Sequence, residues 1–198
     1  MKTEKKLFIP ENYSERTSLG QYFDMGMKDE WQKEVYEKAS EIYKLNGFNS
    51  VLDLGCGSAY KLLNYFPKEA KLIGVEEEIT YNWLTKEFPD NDWLKFSNDL
   101  QLESFDLLVC SDVVEHIVDI FSFMDWIEKQ PWKIGVLSTP DRSLLYHASH
   151  KGPPGNGAHV REWTFQEFND FVSQWFKVEE HLITNKGQAT QTIIIKKL

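Results

Sequence analysis

The chain is 198 residues long, the length of one domain, and its 22 Lys and Arg against 31 Asp and Glu leave a net charge of −9. Hydrophobic residues make up 41% and aromatics 14%, which excludes a disordered chain. The longest apolar runs fall far short of the roughly 20 residues a membrane helix needs, and the scattered lysines on an acidic background disfavour binding along a phosphate backbone.

The N-terminus leads through Leu7-Phe8-Ile9-Pro10 rather than a long apolar region, so no secretory signal is expected. Cys56 and Cys110 have neither zinc-site nor disulfide-framework spacing. These features suit a cytoplasmic protein; its oligomeric state is not legible in the chain.

Residues 1–27 have no sustained period and read as an irregular arm, whose Phe8, Tyr13, Tyr22 and Phe23 suggest that it packs on something. From Lys28 to Asn46-Gly47 the apolar positions Trp31, Val35, Ala39, Ile42 and Tyr43 fall on one helical face. Val51 to Leu54 is a short strand running into Gly55-Cys56-Gly57-Ser58 and then a helix through Tyr60, Leu63 and Phe66. Strands are expected at 71–75, 93–96, 105–110 and 134–137, with helices at 80–88 and 117–129. This alternation implies a doubly wound parallel sheet with helices on both faces, in one domain over 28–198.

Asp141 to Gly157 breaks the alternation with Gly152-Pro153-Pro154-Gly155-Asn156-Gly157, which reads as a loop of the kind that serves as a lid. Thr164 and Glu167 have capping-box spacing ahead of a helix lined by Phe165, Phe168, Phe171, Val172 and Trp175. Two strands, 176–183 and 190–195, then form an antiparallel hairpin around Asn185-Lys186-Gly187.

Two glycines directly after a buried strand let the backbone turn sharply beneath a ligand, and Glu76, about 20 residues on, can accept both hydroxyls of a ribose. Together they specify a nucleoside-containing cofactor. A dinucleotide fingerprint needs a third glycine where Tyr60 stands, and the P-loop Gly-Lys-Ser/Thr is absent, which counts against NAD and against ATP bound in that way. Asp53, just before the glycines, can receive the ammonium of an amino-acid-like ligand.

The stretch 51–59, with Ile73-Gly74-Val75-Glu76 and the run from Phe105 to His116, resembles the cofactor motifs of class I S-adenosylmethionine-dependent methyltransferases. The similarity covers roughly residues 48–198. It implies a Rossmann-like seven-stranded sheet whose last strand is antiparallel, S-adenosylmethionine as cofactor and S-adenosylhomocysteine as product. It further implies that Asp53, Gly55, Cys56 and Gly57 line the methionine and ribose side, that Glu76 holds the ribose, that Asn98 and Asp99 meet the adenine, and that Ser111 lies at the switch-point crevice. Ala59 stands where many members have a third glycine; it is small enough for the turn to survive.

A histidine near the sulfonium could remove the acceptor's proton, and His116, after strand four, with His159 as helper, is expected in that role. The spacing Asp112, Glu115, His116 and His159 is also similar to the divalent-metal ligands of ubiquinone-pathway and small-RNA 2′-O-methyltransferases, although Asp112 is shorter than the Glu usual there. The segments 138–142 and 159–164 are similar to bacterial methyltransferases found beside polysaccharide enzymes, which implies a small-molecule or glycan acceptor in a pocket made by the loop and the arm. The competing expectations are a metal-assisted RNA 2′-O-methyltransferase, a non-catalytic module that keeps the cofactor site, and a nicotinamide-dependent oxidoreductase.

Overall fold

The computed structural model describes residues 4–20 and 24–198; Tyr22 and Phe23, two of the four aromatics assigned to the arm's packing, lie outside them. One seven-stranded sheet carries the chain, in the order β3-β2-β1-β4-β5-β7-β6. Its strands are β1 (Ser50–Leu54), β2 (Lys71–Glu76), β3 (Asp92–Lys95), β4 (Phe105–Ser111), β5 (Trp132–Pro140), β6 (Phe176–Asn185) and β7 (Thr190–Lys197). β1 pairs in parallel with β2 and β4, β2 with β3, and β4 with β5, whereas β7 runs antiparallel to both β5 and β6. The expected Rossmann-like sheet with an antiparallel last strand is therefore present.

Six helices flank it: α1 (Lys33–Leu45), α2 (Tyr60–Tyr65), α3 (Glu78–Glu87), α4 (Ile120–Lys129), α5 (Arg142–Leu145) and α6 (Phe165–Val172). Side chains alternate across a strand, and two cores follow from that period. Val51, Leu107 and Val109 join Val35, Tyr36, Leu62 and Leu84 of α1, α2 and α3 in one. Leu52, Leu54 and Leu108 join Met124, Ile127, Phe168 and Phe171 of α4 and α6 in the other. Asp53 shares the parity of Val51, so it points toward α1, where Tyr36 Oη donates to Asp53 Oδ2 at 2.8 Å.

Several boundaries shift from the sequence reading, β5 most among the strands, at Trp132–Pro140 against 134–137, and three of the shifts have a visible cause. α1 begins at Lys33 rather than Lys28, because Gln32 takes a left-handed φ of 63° and the carbonyls of Met27 and Lys28 accept instead from Ser58 Oγ and Lys61 Nζ. Trp31 is accordingly half exposed instead of buried. The helix expected from 117 begins at Ile120, where Asp119 Oδ1 accepts from Ser122 N, after a single 3-10 turn at Val114–His116. The loop from Asp141 opens with α5, because Asp141 Oδ1 accepts from Ser143 N at 2.7 Å and nucleates one turn too short to show a period.

The capping box on α6 forms in both directions between Thr164 and Glu167. The arm is strapped to the rest of the chain along its length. Leu7 and Ile9 pack on a core, Leu7 O accepts from Trp163 Nε1, and Ser14 N, Arg16 N and Gly20 N donate to the carbonyls of Lys151, Val160 and Gly157. Among the described residues no helix is long and apolar enough to cross a membrane.

Candidate active site

The strand order reverses between β1 and β4, since the chain runs outward through β2 and β3 and then returns to the other side of β1. In open α/β sheets such a switch point leaves a crevice beyond the carboxyl ends of the strands. The structure has a cavity of about 420 Å³ there, bounded by Leu54 and Gly55 after β1, Val75 and Glu76 of β2, and Ser111 and Asp112 after β4. Its other wall is the arm, through Leu19, Gly20, Asp24 and Gln32.

The glycine turn is built as the sequence suggests. Gly55 and Gly57 have φ of 73° and 54°, and a Cβ on Gly57 would collide with the carboxylate of Asp24, so a side chain there would displace Asp24 as well as strain the backbone. Ala59 adopts φ 57° at the position where the resemblance leads one to expect a third glycine, and the turn survives through Ala59 N donating to Cys56 O at 2.8 Å. Cys56 is buried with its sulfur against Gly74, and of the motif residues Asp53, Gly55, Cys56 and Gly57 only Gly55 lines the cavity.

Glu76 bridges the end of β2 to this turn: Oε1 accepts from Gly57 N at 2.7 Å and Oε2 from Glu77 N at 2.9 Å. Burial nevertheless dominates and raises its carboxyl to about 7, against the lowering from those two amides. Asp53 is also raised to about 7 by burial, with the Tyr36 hydrogen bond acting the other way. Its Oδ2 takes the Tyr36 hydroxyl, while Oδ1 has no hydrogen-bond partner among the described residues. Burial likewise raises Asp24 and Asp112. No Lys or Arg is among the described residues lining the cavity.

Asn98 and Asp99 lie in an exposed turn beyond β3 and do not line the cavity; Phe96, immediately after β3, does, with Ile117 and Phe123. The signal for Phe96 was its place at the carboxyl end of a strand, which sequence reasoning passed over in favour of hydrogen-bonding side chains. Ser111 is buried at the cavity, and its hydroxyl shares a 2.9 Å hydrogen bond with Ser138, whose Oγ donates to Asp112 Oδ1 at 2.6 Å. Asp112 itself sits at a strained φ of 52°.

His116 lines the cavity and His159 lies behind it, ring centroids 4.8 Å apart and nearly perpendicular. Ala158 O accepts from His116 Nδ1 at 3.0 Å, which leaves the imidazole lone pair on Nε2. Burial, then His159, lowers the His116 pKa to about 4, so this ring is neutral at pH 7.

His159 Nδ1 donates to Glu162 Oε1 at 2.7 Å, and Asn156 Nδ2 donates to its Nε2 at 3.0 Å. Glu162 is fully buried and fixed through its backbone, whose N–H donates to Tyr13 Oη and whose carbonyl accepts from Arg142. Sequence spacing did not single out Glu162 or Asn156, because their pairing with His159 is set by a loop conformation. Glu115 is fully buried beside the histidines. Its Oε2 accepts from Thr139, Oε1 has no hydrogen-bond partner among the described residues, and one ligand atom each from Glu115, His116 and His159 lies within 4.8 Å of the others.

No family model and no curated protein matches the chain. Among solved structures it is similar to the methyltransferase domain of bacterial CtHen1, at 18% identity and a TM-score of 0.62 over 83% of this chain and 98% of that one. It is also similar to magnesium protoporphyrin IX methyltransferase from Synechocystis PCC 6803 with bound SAH, at 12% identity and 0.63 over 87% and 90%. A third similarity is to the Burkholderia thailandensis 1,6-didemethyltoxoflavin-N1-methyltransferase, at 16% identity and 0.60 over 85% and 81%. The chain has the fold of these methyltransferases. The names of the second and third carry different acceptors, a magnesium protoporphyrin and a didemethyltoxoflavin, so the shared fold does not choose among acceptors.

Proposed function

We propose that the chain is an S-adenosylmethionine-dependent methyltransferase that methylates an oxygen or nitrogen of a small molecule or glycan. The observation that carries the reading is the switch-point cavity, in which a glycine turn, a strand-end carboxylate at Glu76 and a histidine at His116 border one space. Glu76 would exchange its bond to Gly57 N for the two ribose hydroxyls, Gly55 and Gly57 would pass beneath the ligand, and the adenine would lie among Phe96, Ile117 and Phe123. Asn98 and Asp99, exposed beyond that wall, have no part in this arrangement.

When bound, S-adenosylmethionine would supply an electrophilic methyl group; His116, with its Nδ1–H held by Ala158 O, would take the acceptor's proton on Nε2, and the cavity walls would align the acceptor. His159, held in one tautomer by Glu162, packs against His116 and fixes its ring. The cavity's carboxylates and lack of lining cations among the described residues suit a neutral or cationic acceptor better than a polyanion. Both cysteines are buried and unpaired, which fits a reducing compartment such as the cytoplasm.

One observation favours a second version of the same chemistry. Glu115, His116 and His159 bring a carboxylate oxygen and two imidazole nitrogens within 4.8 Å of one another, and the Glu115 oxygen without a partner is an acceptor that a cation would satisfy, His159 Nε2 joining it on release from Asn156. A divalent ion held there would polarise an acceptor hydroxyl and ease its deprotonation. The test of both versions is a screen of acceptor classes with labelled S-adenosylmethionine, with and without Mg²⁺. Label transfer to a small molecule or glycan supports the reading, transfer to RNA alone overturns the acceptor class, and binding of the cofactor without transfer to any class points to a non-catalytic module. Loss of activity in chelator, restored by Mg²⁺, moves His116 from base to ligand.

A further inference from the structure

We propose that Asp24, carried by the N-terminal arm, is itself a cofactor-binding residue that accepts the ammonium of the cofactor's amino-acid end. The proposal rests on the S-adenosylmethionine reading and adds to it a residue outside the sheet's own motifs.

The arm is docked onto the glycine turn around Asp24. Met27 N donates to Asp24 O at 2.8 Å, Ser58 Oγ donates to Met27 O at 2.5 Å, and Lys61 Nζ donates to Lys28 O at 3.1 Å. This turn of arm sets the Asp24 carboxylate directly on the Cα of Gly57, in the space that any side chain at that position would fill, and there it lines the cavity. The glycine is thus needed for the arm's approach as well as for its own left-handed φ.

Asp24 does not enter neutral ground. Glu76 meets the same glycine, its Oε1 accepting from Gly57 N at 2.7 Å; Asp24 is raised by burial, and Glu76 and Asp53 are raised by burial first and also by the Asp24 charge. Lys61 is the cation that acts on Asp24 and Asp53, and its ammonium is already engaged by the Lys28 carbonyl. Two carboxyl groups meeting one glycine, both acting on the buried Asp53, are costly unless a cation neutralises them. Asp53 supplies the independent sign that one is missing: it is 0% exposed, yet Oδ1 has no hydrogen-bond partner among the described residues. A ligand ammonium on Asp24, which lines the cavity, would give that carboxylate a charge-assisted partner and offset the negative charge acting on the buried Asp53, and S-adenosylmethionine carries such a group close to the sulfonium. It would also couple the arm's seating to cofactor binding, because its partner belongs to the arm.

The experiment compares two probes by calorimetry on the full chain: S-adenosylhomocysteine, which has the ammonium, and 5′-methylthioadenosine, which lacks the amino-acid end. Asp24→Asn keeps the size and removes the charge. It should weaken S-adenosylhomocysteine by about tenfold to a hundredfold and leave methylthioadenosine unchanged, the second measurement also certifying the fold. Unchanged or tighter S-adenosylhomocysteine binding overturns the proposal, the tighter case making Asp24 a plug that the cofactor displaces. Equal weakening of both probes overturns it as well, since Asp24 would then only shape the cavity. If the wild-type chain binds neither probe, the cofactor reading itself fails and this assignment with it.

Discussion

Glu76 holds two backbone amides in the ligand-free chain, at 2.7 Å to Gly57 and 2.9 Å to Glu77, and the proposed ribose would take over the first of these bonds. Glu76→Ala should therefore weaken S-adenosylhomocysteine by about 1.5–3 kcal/mol in calorimetry while the fold remains, the worth of a charge-assisted hydrogen-bond pair. Wild-type affinity in that variant would refute the ribose assignment. His116 makes the opposite prediction, an effect on chemistry without one on binding. His116→Ala should lower turnover by about 10²–10⁴-fold with S-adenosylhomocysteine affinity nearly unchanged, whether the ring accepts the proton or holds an ion. Intact turnover would reduce His116 to a structural group that ties its turn to Ala158. A pKa of about 4 makes the ring a ready but weak proton acceptor at pH 7, so some of the barrier must be met by positioning the acceptor.

At the scale of elements, the arm and the Gly-Pro loop behave as one layer. Ser14 N to Lys151 O at 2.7 Å, Arg16 Nη2 to Pro154 O at 2.5 Å and Gly20 N to Gly157 O at 3.0 Å run along their seam. Arg161 adds an ion pair to Glu15 on the arm. Residues 145–158 should be cleaved readily by a protease in the free chain and protected when cofactor and acceptor are both bound, with the arm protected in parallel. Equal cleavage with and without ligands would show that the layer is a fixed wall. The layer also carries Asn156, which reaches His159, and Ala158, which reaches His116, so any movement of it would alter both histidines.

For the whole molecule, the site is a concentration of buried carboxyls that titrate out of range. Asp53 and Glu76, both raised to about 7, keep protons that the unfolded chain releases near 4, so the stability they contribute is present below 4 and is lost as pH rises through 7. His116 and His181, both lowered to about 4 chiefly by burial, act in the other sense: their contribution is present above 6.5 and is lost as pH falls toward 4. Between about pH 6.5 and 8.5 the carboxyls dominate, and the ligand-free chain should melt at a lower temperature at the upper end. Thermal unfolding checks this, and Glu76→Gln should flatten the slope. A melting temperature that climbs across that interval would contradict the raised carboxyls.

Much of this was written in local pattern. The strands, the glycine turn, the capping box at Thr164 and the hairpin follow from alternation, glycine chemistry and cap spacing, which are properties of neighbouring residues. That Glu76 and His116 would border the cavity was legible for the same reason: each stands at a fixed offset from a strand end, and strand ends in a parallel sheet converge. Tertiary structure alone decided what meets them from afar. Asp24 reaches Gly57 across 33 positions of sequence, Glu162 fixes His159 through a buried loop, and Phe96 rather than Asn98 or Asp99 faces the cavity because the chain turns outward directly after β3. Local periodicity encodes which face a residue takes; it carries no record of which distant segment will be laid against that face, because that choice is made by the packing of the whole chain.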